Sequence, residues 1–546
     1  MDNQAKEAVL LNQLNISAAG GGCQLRMGDI DNDGRLEIIL IQPDIISDER
    51  YFPHAVSAAT AFNLEGDILW QIGTPAADMP ACKSDLPAQI YDWDHDGSNE
   101  FLCVMSGEFC VFDGAAGTIK QKYPLPAPDA HDCMVIANLD GSAYPQNMVL
   151  KNKYHEMWAM DQNFNLLWSA KGNLGHMPVP FDLDGDGREE IIAGYSVFSP
   201  EGKVLWKAED VKNHPDCIWV ANLAQEKAAP PSILFGGPQT RAYTFSGQLI
   251  WTLPGNHFAI QPGNFRQELK GLEIAGVETA GGINEILLAD YHGNLLFKEK
   301  RTAAGGRTAV SCVYNFDGEN KDWLLASRED AKTVVLYDGT MNPLYTFSAG
   351  GRAYAADLLG SGIPQILIYD GTYIWIYAAE ETDLSVSAVP EGRAQPKSLY
   401  NTSVYPGGEI EPWRYAASYL TGDFTTQAVY PWAETCAMCG GEETEMPIAR
   451  GDFLVLLVQA LGLKASGQEN FFDVKPCEYY YRAAGIAKQN NLFAGVKLSP
   501  QTPLTAADAA EIMQNAGFHA IMQKTGEDIL SVLDASKLIL QTRPKQ

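Results

Sequence analysis

The feature that most constrains this 546-residue chain is the motif Asp-x-Asp-x-Asp-Gly-x-x-Glu, which occurs at residues 29–37, 92–100 and 182–190, the second copy with Asn before the Glu. Alternate carboxylates on a tight loop direct oxygen atoms at one point, and the glycine permits the turn that encloses a hard cation. Apolar residues typical of a β-strand follow each copy. The sequence therefore predicts Ca2+-binding turns between strands, with the ligands Asp29, Asp31, Asp33, Glu37, Asp92, Asp94, Asp96, Glu100, Asp182, Asp184, Asp186 and Glu190.

Incomplete copies of the motif continue the repeat. Counted at the first Asp or Asn, the copies begin at positions 29, 92, 138, 182, 222, 264, 315 and 357, which is the spacing of four-stranded propeller blades. A second pattern, two apolar residues followed by Trp or Phe, recurs between them and ends at Trp70, Trp168, Trp206, Trp251 and Phe297. It predicts an outer strand whose aromatic ring packs between blades. The eighth repeat lacks this strand, so the N-terminal run 9–14 is predicted to supply it and to close the ring.

The predicted fold is an all-β eight-bladed β-propeller over residues 8–379 with a small C-terminal α-helical domain. Residues 380–446 are rich in Pro, Gly, Thr and acidic residues, which indicates a linker or irregular segment. Helical spacing of apolar residues begins after residue 447. We therefore predict a helical domain over 447–520 and a C-terminal helix or tail over 521–546.

Charge and hydropathy exclude several classes of partner. The net charge of −29 argues against nucleic acid, and no apolar run is long enough for a membrane span. The first residues lack the features of a signal peptide, so we expect either a cytosolic protein or one whose leader has been removed. Only Cys436 and Cys439 have the spacing of metal or redox ligands, and one such pair is weak evidence for either role.

Histidines recur at one position of the predicted propeller. The loop that leads into each innermost strand opens toward the central channel, so residues at that repeat position meet in space. His131, His176, His214 and His257 occupy it in four consecutive blades. We predict a half-ring of imidazoles, which titrate near neutral pH, while a purely structural role in filling the channel is the alternative.

Three further residues, Lys151, Lys153 and Tyr154, follow the third repeat and interrupt its strand. They form either a solvated edge strand or a basic lip over the half-ring. Such a lip would suit an acidic sugar.

The motif-bearing blades, with Gly175-His176 before the fourth and Asn213-His214 before the fifth, resemble the calcium-binding propeller of rhamnogalacturonan lyases. The resemblance covers about residues 20–380, and residues 398–402 resemble the segment that follows that propeller. It implies an eight-bladed fold with structural calcium and cleavage of an acidic polysaccharide or oligosaccharide by β-elimination beside a uronic acid. Integrin-like adhesion propellers carry the general motif too, and no catalytic residue of the lyases is carried over.

The C-terminal region resembles one S-layer homology repeat, on residues 449–453, 472–474, 479–480, 495 and 504–508. The resemblance implies binding to cell-wall glycan and a secreted or cell-surface location. In that family a Thr-Arg-Ala-Glu loop contacts the glycan. Arg450 retains the arginine, whereas Ala506 stands in its place in the second loop.

β-Elimination at a uronate requires a group that neutralises the carboxylate, a base and an acid. We assign the base to His176 or His214 and acid assistance to Tyr154 or His131. Neutralisation is assigned to Lys151, Lys153 or Arg266, and His257 with Arg266 is predicted to bind substrate.

Two other functions fit the sequence. A non-catalytic carbohydrate-binding or adhesion propeller, anchored to the cell surface by the helical region, is one. A hydrolase is the other, and it needs two opposed carboxylates. The candidates for these are Asp85, Asp129, Asp132 and Asp216.

Overall fold

The computed structural model describes most of the chain from residue 5 to residue 389 and parts of the chain from residue 448 to residue 542. The described ranges are 5–44, 53–80, 85–142, 145–184, 186–208, 211, 213–225, 231–280, 283–300, 308–328, 332–389, 448, 450–461, 463, 471, 481–493, 497–499, 502–519, 521–522, 524–526 and 528–542. Cys436, Cys439 and residues 398–402 lie outside them. Among the described residues, no helix has the length and apolar character that crossing a membrane requires.

The described residues of the N-terminal part form β-strands and a short 3-10 helix, Ser17–Ala19. The strands are β1 (Lys6–Glu7), β2 (Val9–Asn15), β3 (Gln24–Gly28), β4 (Glu37–Pro43), β5 (Val56–Phe62), β6 (Ile68–Gly73), β7 (Ala88–Tyr91), β8 (Glu100–Met105), β9 (Glu108–Asp113), β10 (Ile119–Pro124), β11 (Cys133–Ala137), β12 (Asn147–Lys151), β13 (Glu156–Met160), β14 (Leu166–Lys171), β15 (Val179–Phe181), β16 (Glu190–Ala193), β17 (Ser196–Phe198), β18 (Val204–Lys207), β19 (Cys217–Ala221), β20 (Ser232–Thr244), β21 (Leu249–Gly263), β22 (Glu273–Ala280), β23 (Ile283–Ala289), β24 (Leu295–Lys298), β25 (Thr308–Tyr314), β26 (Asp322–Arg328), β27 (Thr333–Tyr337), β28 (Pro343–Thr346), β29 (Arg352–Ala356), β30 (Gln365–Tyr369) and β31 (Tyr373–Ala378).

These strands pair antiparallel, in chain order, as four-stranded units. β3–β6 and β7–β10 form two such units, which a parallel pairing of Val56 with Met105 joins into one sheet, and β11–β14, β15–β18 and β25–β28 each form one unit. β19–β24 form a six-stranded sheet, because β20 and β21 each pair with two partners through different halves. The first strands of neighbouring units contact one another, so they are the innermost strands. The Glu of each complete motif begins the second strand of its unit, as the sequence predicts.

The N-terminal strand completes the last unit. β2 pairs antiparallel with β31, with Val9 opposite Ala378 and Asn15 opposite Tyr373. The predicted pairing of this strand is therefore confirmed. β1 adds to β28 of the preceding unit in parallel, with Lys6 opposite Tyr345.

The hydrophobic core lies between units rather than within them. One buried cluster joins Ile39 and Trp70 of the first unit to Phe101 of the second. Similar clusters lie between the following units, and another joins Ile38 of the first unit to Leu367 of the last. Because both faces of the second strands are covered, β4 is buried over its whole length. The last unit thus packs against the first.

The aromatic residue of the outer strand packs against the next unit, as predicted from the repeated pattern. Trp168 Nε1 donates to the carbonyl of Pro200 at 2.8 Å, and Trp206 Nε1 donates to that of Phe245 at 2.9 Å. Gly202 has a φ of 79°, and a Cβ there would approach the Trp168 ring to 2.5 Å. The turn therefore needs glycine both for its backbone conformation and for the approach of the indole.

The described part of the C-terminal region contains four helices with a common core. They are α1 (Arg450–Ala460), α2 (Tyr481–Gln489), α3 (Ala506–Asn515) and α4 (Val532–Leu540). Phe453, Ala484, Ile512 and Ile539 belong to one buried cluster. Capping boxes at Thr505 and Ser531 satisfy backbone donors at the starts of α3 and α4. Residues 449, 472–474, 479–480 and 495 of the S-layer-like pattern lie outside the described ranges.

Candidate functional site

Each innermost strand separates two sets of predicted residues. His131, His176 and His214 precede β11, β15 and β19, whereas the motif positions follow these strands. His176 and Asp182 lie on opposite sides of β15, whose three residues span about 10 Å. We call the two ends of the innermost strands the histidine end and the motif end.

At the histidine end, three predicted residues come together. The Tyr154 ring stacks on the His214 ring with centroids 4.5 Å apart, and the His176 centroid lies 5.4 Å from Tyr154 and 4.9 Å from His214. Asp216 Oδ1 lies 3.5 Å from His176 Nε2. We call Tyr154, His176, His214 and Asp216 the histidine cluster.

Three consecutive units contribute to this cluster, and the backbone links their loops. The amide of Leu174 donates to the carbonyl of Tyr154 at 2.9 Å, which joins the β12–β13 loop to the β14–β15 loop. Gly175 has a φ of 67°, and a Cβ there would lie 3.3 Å from the carbonyl oxygen of Pro215. This glycine therefore lets the loop that carries His176 approach the loop that carries His214.

The electrostatics of the cluster favour a neutral His214. Burial lowers the pKa of His214 to about 4, and the neighbouring His176 and Lys151 act in the same direction against the opposing charge of Asp216. A neutral imidazole can accept a proton or ligate a metal ion.

Three residues of the cluster could together hold a metal ion. His176, His214 and Asp216 each offer one ligand atom, and these atoms lie within 4.8 Å of one another. Two imidazole nitrogens and a carboxylate suit a divalent transition metal better than calcium, which prefers oxygen ligands. Sequence reasoning considered Asp216 only as a hydrolase carboxylate. Its spacing from His214, with one residue between them, could have indicated the site.

Beside the histidine cluster, Lys151 and Lys153 form a buried ion-pair group with Asp132. Lys151 Nζ lies 2.7 Å from Asp132 Oδ2, and Lys153 Nζ lies 3.1 Å from Asp132 Oδ1. Lys151 Nζ also donates to the carbonyls of Asn152 and Lys153. Burial alone would raise the pKa of Asp132, but the two ammonium groups hold it below its ordinary value.

Lys151 and Lys153 are therefore neither an exposed basic lip nor a solvated edge strand, because the Lys151 side chain is 0% exposed and that of Lys153 is 6% exposed. The physical reason is Asp132, which draws both ammonium groups inward. Burial would lower the pKa of Lys151, and the charge of Asp132 more than offsets this and raises it.

The other two predicted histidines, His257 and His131, have hydrogen-bond or ion-pair partners outside the cluster. His257 is fully buried, with Nδ1 3.0 Å from Thr240 Oγ1 and Nε2 3.5 Å from Glu278 Oε2. Burial lowers its pKa, against the opposing charge of Glu278. His131 is half-buried in the loop before β11, and its backbone amide donates to the carbonyl of Asp129 at 2.9 Å.

Arg266 lies at the motif end, not with the histidines. Its Nε donates to Glu268 Oε1 at 2.8 Å, and its amide donates to Glu273 Oε2 at 2.9 Å. The reason is its place in the repeat: it follows Asn264, the first position of an incomplete motif, so it falls in the turn after the innermost strand. The prediction that it neutralises a carboxylate beside the histidines does not fit this position.

The three complete motifs adopt the same loop at the motif end. The final Glu accepts a backbone hydrogen bond from Ile30, Trp93 or Leu183 at 2.9, 2.7 or 2.8 Å. The first Asp accepts one from the glycine, whose φ is 82°, 96° or 93°. In each loop at least three acidic residues bring ligand atoms within 4.8 Å of one another: Asp29, Asp31 and Asp33; Asp92, Asp94 and Asp96; Asp182, Asp184 and Glu190.

This donor set fits a hard cation. It consists of carboxylate oxygens, the ligands that calcium prefers. Burial raises the pKa of Glu37 and of Glu190 to about 9, and the neighbouring aspartates of each loop contribute to the rise. A bound cation would offset this repulsion between carboxylates, in agreement with the calcium ion that the motif predicts.

Solved structures similar to this chain include rhamnogalacturonan lyases. The exotype rhamnogalacturonan lyase YesX is 17% identical to this chain and has a TM-score of 0.53. The matched region covers 68% of this chain and 76% of the YesX chain. The Bacillus licheniformis rhamnogalacturonan lyase PL11 is 16% identical to this chain and has a TM-score of 0.50. The matched region covers 73% of this chain and 80% of the PL11 chain. At such identities the likeness shows the fold alone. The chain is mostly β-sheet, with a fold of the kind found in these lyases.

Sequence comparison gives one short match. The chain is 36% identical over 72 residues to the Surface-layer 125 kDa protein of Lysinibacillus sphaericus, which is 13% of this chain and only 6% of that protein's length. No known protein family's sequence profile matches the chain.

Proposed function

We propose that this protein is a polysaccharide lyase that cleaves a rhamnogalacturonan-like, uronate-containing polysaccharide by β-elimination on a closed eight-bladed propeller stabilised by calcium. The observation that carries the proposal is the histidine cluster, in a fold shared with rhamnogalacturonan lyases. The pairing of β2 with β31 and the packing of the last unit against the first support ring closure.

The histidine cluster can supply the base and the acid of an elimination. His214 is kept uncharged by its surroundings, so it can accept the proton next to the uronate carboxylate. His176, beside it, is the second candidate base. The Tyr154 hydroxyl is the proposed donor to the leaving oxygen, because its ring lies against both imidazoles.

The buried lysines do not suit direct neutralisation of the substrate carboxylate. Both ammonium groups are held by Asp132 and shielded from a polymer. The alternative is a divalent cation held by His176, His214 and Asp216, which would supply positive charge beside the uronate. In that case the ligating nitrogens are not the base, since one nitrogen lone pair serves one role at a time.

The C-terminal region is proposed to bind cell-wall glycan, which would place the protein at the cell surface or outside the cell. The support is the S-layer-like pattern of this region, together with a short match of the chain to a surface-layer protein. Arg450, expected to contact glycan, donates to Asp508 Oδ2 at 2.7 Å and to the carbonyl of Leu498 at 2.6 Å. Its guanidinium thus also fastens α1 to the start of α3. Co-sedimentation of the full chain with purified cell walls tests this part of the proposal.

The lyase proposal is tested by the ultraviolet absorbance of unsaturated uronides released from rhamnogalacturonan, with homogalacturonan as the matched uronate polymer. A rise in absorbance with rhamnogalacturonan is the expected result. New reducing ends without that absorbance would indicate hydrolysis and overturn the proposal, and so would binding of the polymer without any cleavage.

A further inference from the structure

The second complete motif differs from the other two in holding a lysine. Lys120 Nζ lies 2.7 Å from Asp94 Oδ2, 2.8 Å from Glu100 Oε1 and 3.3 Å from Asp96 Oδ2. The ammonium group therefore contacts three of the four carboxylates that the motif provides. Such a position, among several carboxylates of one loop, is where a bound cation would lie.

The repeat explains how this lysine reaches the loop. In each outer strand one residue is extra in the pairing with its neighbour, and in β10 this bulge residue is Lys120, between Ile119 and Gln121. In the other described outer strands the same bulge position is apolar. These residues are Leu11, Leu69, Leu167, Leu205, Ile250, Leu296 and Leu344.

Loops one and three have no equivalent of Lys120. Their bulge positions carry Leu69 and Leu205. Arg35 of the first loop contacts Asp33 but extends away to Glu65, and Arg188 of the third loop extends to Glu201. In neither loop does a basic side chain contact three motif carboxylates among the described residues.

We infer that the Lys120 ammonium group takes the cation position of the second loop. The chain thus neutralises this loop with its own lysine, and it does not need calcium there for folding or for stability. The inference rests on the proposed calcium binding of the first and third loops. A calcium ion 2.3–2.6 Å from its ligands, as calcium typically lies, and an ammonium group at this position would occupy the same space.

Calcium stoichiometry of the purified full chain tests the inference. Lys120→Leu gives the second loop the residue type that the other loops have, and we expect it to bind one calcium ion more per chain than the unchanged protein. Leu205→Lys is the reverse variant. Leu205 is 56% exposed, so the lysine should be tolerated and should remove one calcium ion per chain from the third loop.

Thermal unfolding in a calcium chelator gives a second readout. There Lys120→Leu should unfold at a lower temperature than the unchanged protein, and calcium should raise the unfolding temperature of the variant by more. Lys120→Met, which keeps most of the aliphatic stem, should behave in the same way.

Two results would overturn the inference, and they differ. An equal calcium count in the unchanged protein and in Lys120→Leu would mean that calcium displaces the ammonium group. If neither the unchanged protein nor any variant bound calcium, the proposal that the first and third loops bind calcium would itself be wrong.

Discussion

The motif end of the units repeats one arrangement of residues, whereas the histidine end differs from unit to unit. At the motif end, the three complete loops repeat one arrangement, down to the hydrogen bond that each final Glu accepts. At the histidine end, three consecutive units place unlike residues, a tyrosine, two histidines and an aspartate, around one point. On the proposed function, the same repeat would carry stability where it is copied and chemistry where it varies.

The two ends of one short strand allow the sharpest test of this comparison. His176 precedes β15 and Asp182 follows it. His176→Ala should lower the rate of uronide release by about 10²–10⁴-fold, the usual contribution of a positioned acid or base, and should leave the unfolding temperature nearly unchanged. Initial rates and thermal unfolding on the same sample measure both.

Asp182→Asn is the matched variant at the motif end. It should weaken the stabilisation of the folded chain by calcium while the activity of the folded protein persists. His292→Ala, at an exposed histidine in a turn of another unit, should change neither property. Equal loss of activity in the His176 and Asp182 variants would show that the two ends do not differ in their contribution to activity.

The next largest effect is expected for Asp132→Asn. The substitution leaves Lys151 and Lys153 buried without their counter-charge, so the free energy of unfolding should fall by about 3–5 kcal/mol. Chemical denaturation measures it. Asp129→Asn, at an exposed residue three positions earlier, is the control and should change the free energy by less than about 0.5 kcal/mol.

The contribution of Asp132 should also depend on pH in a defined direction. Its pKa in the folded chain is lowered, so the stabilisation is complete above its ordinary pKa of 3.8 and is lost as the pH falls through the lower folded value. The pKa of Lys151 is raised, so its stabilisation is lost only when the pH rises above 10.5. A difference between the unchanged protein and Asp132→Asn that disappears near neutral pH would contradict the ion-pair description.

The smallest effect is expected between units, where neither end is involved. Trp206→Phe keeps an aromatic ring but removes the hydrogen bond to the Phe245 carbonyl, so it should lower the free energy of unfolding by about 1 kcal/mol. Calcium stoichiometry and the rate of uronide release should not change. A large loss of activity would mean that packing between units positions the histidine cluster.

The sequence predicted those features that depend only on position in the repeat. The strands after each motif, the packing of Trp168 and Trp206 between units, and the partner of the N-terminal strand all follow from counting along the chain. The meeting of His176 with His214 follows from the same count.

Contacts that depend on pairing register could not be predicted in this way. Asp132 meets Lys151 because Cys133 pairs with Lys151 across β11 and β12, a register that the motif spacing does not determine. Lys120 reaches the second loop from a bulge, which a sequence pattern does not reveal. Arg266 lies at the motif end because it follows Asn264, a placement that its charge alone does not indicate.

The pairing of β2 with β31 sets an order of events during synthesis of the chain. Leu14 pairs with Ile374, and a ribosome adds about 5–20 residues each second. β2 therefore waits tens of seconds for its partner. The four strands of each of the other units come from neighbouring sequence, whereas the last unit joins β2 to strands synthesised more than 300 residues later. Assembly of this unit is complete only when β31 has emerged and meets β2.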